Sequence, residues 1–348
     1  MEKIDLKSLS ETEVKSLFKD MGHKPFRADQ VLHWIYNRSA KSFDEMDNVP
    51  KAVRDDLNER AFLRSLEEVG CEESMDGTVK WLFKTLDGYF IETVLIPRLE
   101  RNSVCVSTQV GCAMGCKFCR TARMGLKRHL NAGEILEQFI KTNEWLAKEN
   151  QVPLTNIIYM GMGEPLHNYN HVKTSVNWLH HQKYFGLSRK RITISTSGVV
   201  PNIQAMADDR LPANLAVSLN GTNDEMRKSI MPITDRYPLD KLLEAVDNFI
   251  KEMERGVTFE YILIKDITCT PQAAKELLKI IRPRKVKVNA IVINESDDPN
   301  LLPPSPEEIE EFMQIIREGN EIITIRQPRG RDIKAACGQL AHHTTKDD

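Results

Sequence analysis

The 348-residue chain lacks any apolar run near the ~18 residues that a membrane span requires. Its first ten residues, Met1–Ser10, are charged and unlike a signal sequence. Both absences predict a cytoplasmic protein with no membrane partner. Net charge is lacking too: 48 Lys and Arg against 50 Asp and Glu leave −2. As a sum that balance points away from nucleic acid, although a sum is silent about where charges sit. Cysteines are odd in number, seven in all, which makes a poor disulfide framework. A reducing compartment, where grouped thiols bind metal or do chemistry, fits them better. There is no internal repeat and no low-complexity tract. What is present, 41% hydrophobic and 28% charged residues, fits an ordinary globular chain with a sizeable core. At about 100–200 residues per domain, the length allows one large domain or two to three smaller ones.

Residues 1–62 read as helical. Ser10-Glu11-Thr12-Glu13 opens the stretch Val14–Met21, and a second helix follows Pro25, with Ala28, Val31, Leu32 and Ile35 at helical spacing. A third covers Lys51–Ala61. Thr78–Phe83 and Tyr89–Ile96, separated by Asp87-Gly88, predict a β-hairpin, so 63–98 reads as a hairpin linker. From there strands alternate with helices. Strands are predicted over Val104–Thr108, Asn156–Met160, Ile192–Ser195, Asn214–Leu219, Val257–Ile264 and Val286–Ile293, with an edge strand at Ile322–Arg326. Helical patterns such as Ala132–Lys148, Leu239–Glu254, Pro271–Ile281 and Pro306–Arg317 lie between them. The pattern predicts an α/β fold: a parallel sheet over 99–330 with crossover helices, an open, partial (β/α)6 TIM-type barrel. Residues 331–348 form a tail, frayed over His342–Asp348.

Four of the seven cysteines fall within Cys105–Cys119. Cys112, Cys116 and Cys119 form a Cys-x3-Cys-x2-Cys run directly after the first barrel strand, at the strand end where barrels carry their chemistry. Three thiolates on one loop can hold three irons of a 4Fe–4S cubane, which leaves the fourth iron open to a ligand. Structural zinc is the competing reading, with His129 or Cys105 as a fourth ligand. The asymmetric spacing and the barrel position favour iron–sulfur.

Other strand ends carry polar groups. Gly161 and Gly163 let backbone approach a ligand, and Glu164 can bind an ammonium group. Ser195 ends the third strand, Ser218-Leu219-Asn220 the fourth and Asn294 the sixth, where they can hydrogen-bond a ribose and an adenine. Each alone reads as an ordinary loop residue; as a ring around one barrel mouth they converge.

The cysteine run, with Phe118 before its last member, resembles the radical S-adenosylmethionine (SAM) superfamily. The likeness goes further. Lys24–Arg27, Gln109–Cys112, Met160–Leu166, Ser195–Pro201 and Ala335–Leu340 resemble the dual-specificity RNA adenine C2-methyltransferases, the RlmN family, over almost the whole chain. The related Cfr enzymes methylate C8 of the same ribosomal adenine. The resemblance implies a 4Fe–4S cluster on Cys112, Cys116 and Cys119, and SAM held by Gly163, Glu164, Ser195, Ser218, Leu219, Asn220 and Asn294. It implies that one SAM methylates Cys337 on sulfur, and that a radical from a second SAM activates that methyl group for addition to adenine C2. It further implies that Glu92 accepts the C2 proton and that Cys105 resolves the adduct as a transient disulfide with Cys337. Adenine C2 is neither nucleophilic nor acidic, so a radical route is chemically apt. Thiol reactivity needs a lowered pKa, which Arg326, Arg329 and Arg331 would favour at Cys337. Without the resemblance, Cys105 reads as a small core residue, Cys337 as a tail anchor and Glu92 as a solvated carboxylate. Cys71 and Cys269 match no motif and read as structural. Two positions depart from the family pattern: Asn220 replaces a histidine, and Pro-Trp is missing before Asn294.

Mapped along the chain, the charges separate. No acid occurs from Arg101 through Gly133, which holds Arg101, Lys117, Arg120, Arg123, Lys127 and Arg128. Lys183, Arg189, Lys190 and Arg191 form a second basic run, and Arg326, Arg329 and Arg331 a third. Acids gather at Glu67–Glu73, Glu295–Asp298 and Glu307–Glu311. A basic rim around the mouth is the footprint of phosphate binding. The implied partners are 23S ribosomal RNA and transfer RNA, bound with the help of the 1–62 domain, and an electron donor such as flavodoxin; a monomer is expected. The alternatives are Cfr-type C8 methylation and, in a different class, a non-catalytic iron–sulfur RNA-binding module.

Overall fold

The computed structural model describes residues 3–98, 101–294 and 298–340. The tail predicted to fray and most of the acidic stretch 295–298 lie outside the described residues.

Three helices open the chain. α1 (Glu11–Asp20) starts where Ser10 and Glu13 cap each other: the Ser10 hydroxyl accepts from the Glu13 amide at 3.3 Å, and the Glu13 carboxylate from the Ser10 amide at 2.7 Å. α2 (Phe26–Asn37) begins straight after Pro25 and buries Ala28, Val31, Leu32 and Ile35. α3 (Lys51–Arg60) turns Val53 and Leu57 inward.

Ten strands form one sheet. They are β1 (Leu66–Glu73), β2 (Val79–Thr85), β3 (Phe90–Ile96), β4 (Asn102–Cys105), β5 (Leu154–Tyr159), β6 (Ile192–Thr196), β7 (Asn214–Ser218), β8 (Val257–Leu263), β9 (Val286–Val292) and β10 (Ile323–Arg326). Each strand pairs with its neighbours in chain order. β1 to β4 run antiparallel to one another, and β4 to β10 are parallel. The parallel strands are linked by α4 (Ala132–Lys148), α5 (Tyr169–His180), α6 (Val200–Asp208), α7 (Asp224–Ile230) with α8 (Leu239–Met253), α9 (Pro271–Ile281) and α10 (Pro306–Glu318). This is a partial (β/α)6 barrel, with β10 added at its edge.

The hairpin differs from expectation in two ways. It gains a third strand, β1, whose Glu67, Glu68, Glu72 and Glu73 disguise it as an acidic loop. As an edge strand β1 tolerates that charge, and a bulge between Glu68 and Gly70 interrupts its alternation. The hairpin is also hydrogen-bonded to the barrel through β3, where Val94 pairs with Cys105. The 63–98 segment thus continues the sheet instead of merely linking to it.

Register then decides which residues meet. Residues paired across strands share a face, as do alternate residues along one strand. Lys80 pairs with Val94, Val94 with Cys105 and Cys105 with Ile158, which places Glu92 beside Cys105 on one face. The same face continues through Ser195, paired with Ala216, to Ser218, Glu260 and Asn289, and to Ile291 and Arg326. This face is the barrel interior.

A buried ion pair ties the helical N-terminus to the barrel. The Lys7 ammonium donates to the Glu137 carboxylate of α4 at 2.7 Å and to the Leu63 carbonyl, and both side chains are at most 2% exposed. Burial alone would raise the Glu137 pKa, but Lys7 and two hydrogen bonds from Ser65, each 2.7 Å, hold it below its usual value. Removing one partner strands the other. Lys7→Met is therefore expected to cost about 3–5 kcal/mol, while the Lys7→Met/Glu137→Leu double variant recovers much of the loss; thermal unfolding midpoints of the three proteins check this.

Candidate active site

The loop after β4 carries the three clustered thiols. It can turn there because Gly111 adopts φ +74° with its α-carbon pressed against the Gly125 carbonyl; a Cβ would lie 1.8 Å from that oxygen. Cys112, Cys116 and Cys119 line a cleft of about 1020 Å³, open to solvent, at the carboxyl ends of the strands. Burial pushes the Cys112 thiol up to about 12, and Glu164 and Cys119 add to the effect. The Cys116 thiol is also raised well above its ordinary value, first by burial and then by the neighbouring Cys119 and Cys112. Crowded, mutually repelling thiols of this kind are a donor set suited to a cationic group that displaces their protons. Among the described residues, no three His, Cys, Asp or Glu side chains converge closely enough for a single metal ion. Cys112, Cys116 and Cys119 supply three thiolates, the number a cubane takes, one per iron corner, while leaving its fourth iron open. His129, one of the two suggested fourth zinc ligands, is engaged elsewhere, facing the Gln109 amide nitrogen at 3.0 Å.

Beside this loop, Gly161–Glu164 ends β5. Gly163 has φ +98°, and a Cβ on it would lie 2.5 Å from Gln109 Cβ. The close approach lets the Met162 carbonyl accept from the Thr108 and Gln109 amides at 2.8 and 3.2 Å. Glu164 is buried at the cleft wall. Its carboxylate accepts from the Ser197 amide and hydroxyl at 2.7 and 2.8 Å and from the Leu166 amide at 2.9 Å. Burial nevertheless outweighs these bonds and raises its pKa.

Ser195, Ser218, Asn220 and Asn294 also line the cleft. Asn220 takes a left-handed φ of 50°, which Asn tolerates, and its Oδ1 accepts from the Ile262 amide at 2.9 Å. Leu219 is different: its side chain is buried in the core, and its carbonyl accepts from Arg227 Nε at 3.1 Å.

Cys337 is exposed to the cleft on a segment fixed from several sides. Its carbonyl accepts from Asn294 Nδ2 at 3.1 Å, the Gly338 carbonyl from the Arg120 amide at 2.8 Å, and the Leu340 carbonyl from the Thr121 hydroxyl at 2.6 Å. The surrounding protein pushes its thiol up and Arg326 opposes that shift. Of the three arginines expected to activate it, Arg326 lines the cleft, whereas Arg329 donates to the Pro97 carbonyl at 3.0 Å and Arg331 to Asn294 Oδ1 at 3.3 Å. Burial pushes the Cys105 thiol up to about 12, and the charge of Cys337 adds to it, so the two thiols lie within electrostatic reach. All seven cysteines are free thiols. Glu92 and Cys105 sit on the interior face but do not line the cleft itself. Cys71 is exposed on the edge strand, and Cys269 is buried away from the cleft.

Two charged residues at the site escaped the sequence reading. Glu260, midway along β8, accepts from Asn289 Nδ2 at 2.9 Å and pairs with Arg326 at 3.6 Å, which places a carboxylate near Cys337. Arg227 is fully buried, donates to Thr234 Oγ1 at 2.8 Å and to the Ser197 carbonyl, and is lowered to about 10 by burial. A lone Glu in a strand and an Arg in a short polar helix carry no local signal; only the barrel register reveals them.

The basic runs divide. Arg128 is engaged by Asp87 at 2.6 Å and Glu134 at 2.7 Å. Arg189–Arg191 precedes β6 and so lies at the amino ends of the strands, opposite the cleft. The expectation that all three runs rim the mouth is corrected: Arg189–Arg191, and Arg101 just before β4, lie at the amino ends, because strand direction and not sequence proximity fixes the end on which a loop emerges.

Comparison with known proteins defines the class. Residues 106–270 match the radical SAM superfamily, which works with a 4Fe–4S cluster and SAM, and residues 4–63 match the N-terminal domain of ribosomal RNA large subunit methyltransferases. A solved radical SAM methyltransferase from Sphaerobacter thermophilus superposes with a TM-score of 0.91 at 41% identity, covering 97% of this chain and 98% of that one. The fold and the thiol-lined cleft are therefore those of a radical SAM methyltransferase. The dual-specificity RNA methyltransferase RlmN of Anaeromyxobacter dehalogenans is 42% identical over 341 residues, 97% of this chain and 91% of the relative. A probable RlmN of Lysinibacillus sphaericus is 42% identical over 328 residues, 94% and 86% of the two chains. The chain belongs to the RlmN family.

Gly163→Ala is expected to force the 161–164 loop away from Gln109, at a cost on the order of 2 kcal/mol or more. A lowered unfolding midpoint would reveal it, together with loss of SAM binding.

Proposed function

We propose that this chain methylates carbon 2 of adenine in RNA, at the peptidyl-transferase-centre adenine of 23S ribosomal RNA and at the adenine 3′ of the anticodon in transfer RNA, by ping-pong through S-methylated Cys337. The observation that carries the reading is the placement of Cys337: an exposed thiol, clamped over the cluster loop and facing the cleft, with Cys105 within electrostatic reach. Cys112, Cys116 and Cys119 are the cluster ligands. Gly163, Glu164, Ser195, Ser218, the Leu219 backbone, Asn220 and Asn294 hold SAM, with Glu164 taking its ammonium group. When bound, the cluster and SAM supply a one-electron oxidant able to take a hydrogen atom from an unactivated methyl group.

The chain's own residues do the rest. Cys337 is the nucleophile that accepts a methyl group from one SAM, with Arg326 favouring its thiolate. Once the methyl carbon joins adenine C2, the adduct must give up its unpaired electron, which would return to the redox chemistry the cluster supplies, and Glu92 takes the C2 proton. The Cys105 thiolate then attacks the Cys337 sulfur; the carbon–sulfur bond breaks toward carbon, which takes up a proton to become the methyl group, and the released RNA leaves a disulfide for an external reductant to open. The adenine must leave its stack to enter the cleft, as base-modifying enzymes require. Residues 1–62 serve as an RNA-binding accessory domain, and an electron donor such as flavodoxin supplies the electrons. The chain acts as a monomer in the cytoplasm; among the described residues no helix is long and apolar enough to cross a membrane.

Nucleosides from ribosomal and transfer RNA of cells with and without the chain should differ in 2-methyladenosine. Finding 8-methyladenosine instead would assign the Cfr-type reaction, and finding neither would remove both readings. Cys337→Ala should abolish the product; a non-catalytic RNA-binding module would be indifferent to it. Anaerobically reconstituted protein should be brown with roughly four irons per chain, and Ala at Cys112, Cys116 or Cys119 should remove the colour.

A further inference from the structure

Lys80 has no part in the reaction as described, yet it touches one participant, Glu92, and the backbone segment that leads to another, Cys337. It lies on β2, and its pairing with Val94 points it to the barrel interior, on the face of Glu92. Its side chain is 12% exposed. The ammonium donates to the Ile333 carbonyl at 2.6 Å and lies 2.9 Å from Glu72 Oε2 and 3.4 Å from Glu92 Oε1. An ammonium has three donors, and these three acceptors match them in number. Glu72 stands 59% exposed on the edge strand, whereas Glu92 is 6% exposed. Ile333 belongs to the segment that leads into Cys337.

The same segment rests on the turn between β1 and β2. Asp332 accepts from the Ser74 hydroxyl at 2.6 Å and the Met75 amide at 3.2 Å, and the Gly330 amide donates to Asp76 at 3.1 Å. The antiparallel hairpin is therefore a cradle for the Cys337 segment. Lys80 is the point where that cradle reaches the buried carboxylate.

We infer that Lys80 is a positioning residue: it holds the Glu92 carboxylate in register with the docked Cys337 segment, so that the base and the methyl carrier meet the adenine together. The inference rests on Glu92 being the proton acceptor proposed above. A buried carboxylate needs a compensating cation, and an ammonium that also grips the carrier backbone supplies charge and alignment at one atom. Formation of S-methyl Cys337 asks nothing of Glu92, so Lys80 should matter only to the RNA half of the cycle.

The test separates the two halves in full-length, cluster-loaded protein. Peptide mass spectrometry reads the methyl group on Cys337, and single-turnover methylation of RNA reads the second half, for Lys80→Met, Lys80→Arg, Glu92→Gln and Lys80→Met/Glu92→Gln. Lys80→Met should keep Cys337 methylated and slow RNA methylation by roughly a hundredfold or more, the scale of a lost general base. Lys80→Arg should recover most of that loss, and the double variant should be no slower than Glu92→Gln alone. A Lys80→Met protein that methylates RNA normally while Glu92→Gln is inactive would overturn the inference and spare the proposed base. Loss of both halves without rescue by Arg would reduce Lys80 to a structural strut and overturn it too. Normal RNA methylation by Glu92→Gln would remove the proposed base, and this inference with it.

Discussion

Everything at the site depends on how closely two backbone segments approach each other. The strand-end loop of β5 lies against residues 106–109, and the Met162 carbonyl takes both amides that lead into the thiol loop. No side chain fits between them: a Cβ on Gly161 would lie 2.7 Å from the Val106 carbonyl, and one on Gly163 2.5 Å from Gln109. That contact sets Glu164 beside the thiols, and the Ser197 bonds to Glu164 extend the constraint to the next strand end. The polar ring at the mouth is thus a connected hydrogen-bonded structure, in which each loop fixes its neighbour. Buried polar groups of this kind are stable only when their partners are complete.

A second scaffold meets the first at Cys337. The antiparallel strands β1–β3 extend the sheet beyond the barrel and bring Glu92 onto the same face as Cys105. They also supply the turn on which the C-terminal segment lies. One continuous sheet thereby positions groups that are distant in sequence, and the register of a few strand pairs governs their separation.

Much of this was legible in the residues. The helical faces of 10–37, the order of the parallel strands and the thiol loop could be read because each leaves a local trace: periodicity, β-branched runs, tight spacing. β1 could not, since its glutamates and its bulge erase the alternation by which strands are recognised. Glu260, Arg227 and Lys80 were equally hidden, because a charged residue in a strand or short helix looks solvated until its neighbours across the sheet are known. The basic run at Arg189–Arg191 was misplaced for a related reason: a sequence has no top and bottom until strands acquire direction. Arg128 was miscounted because its acidic partners, Asp87 and Glu134, come from the hairpin turn and α4.

The clamp on the Cys337 segment has a kinetic meaning. A thiol in free solution meets its reaction partner at the frequency that concentration allows, whereas one held by Asn294, Arg120 and Thr121 is presented to the cleft continuously. Such tethering can correspond to effective molarities of about 10⁵–10⁸ M when the geometry is right. A methyl group carried there would change partners without leaving the molecule, and its transfer would not depend on how much thiol the cell contains.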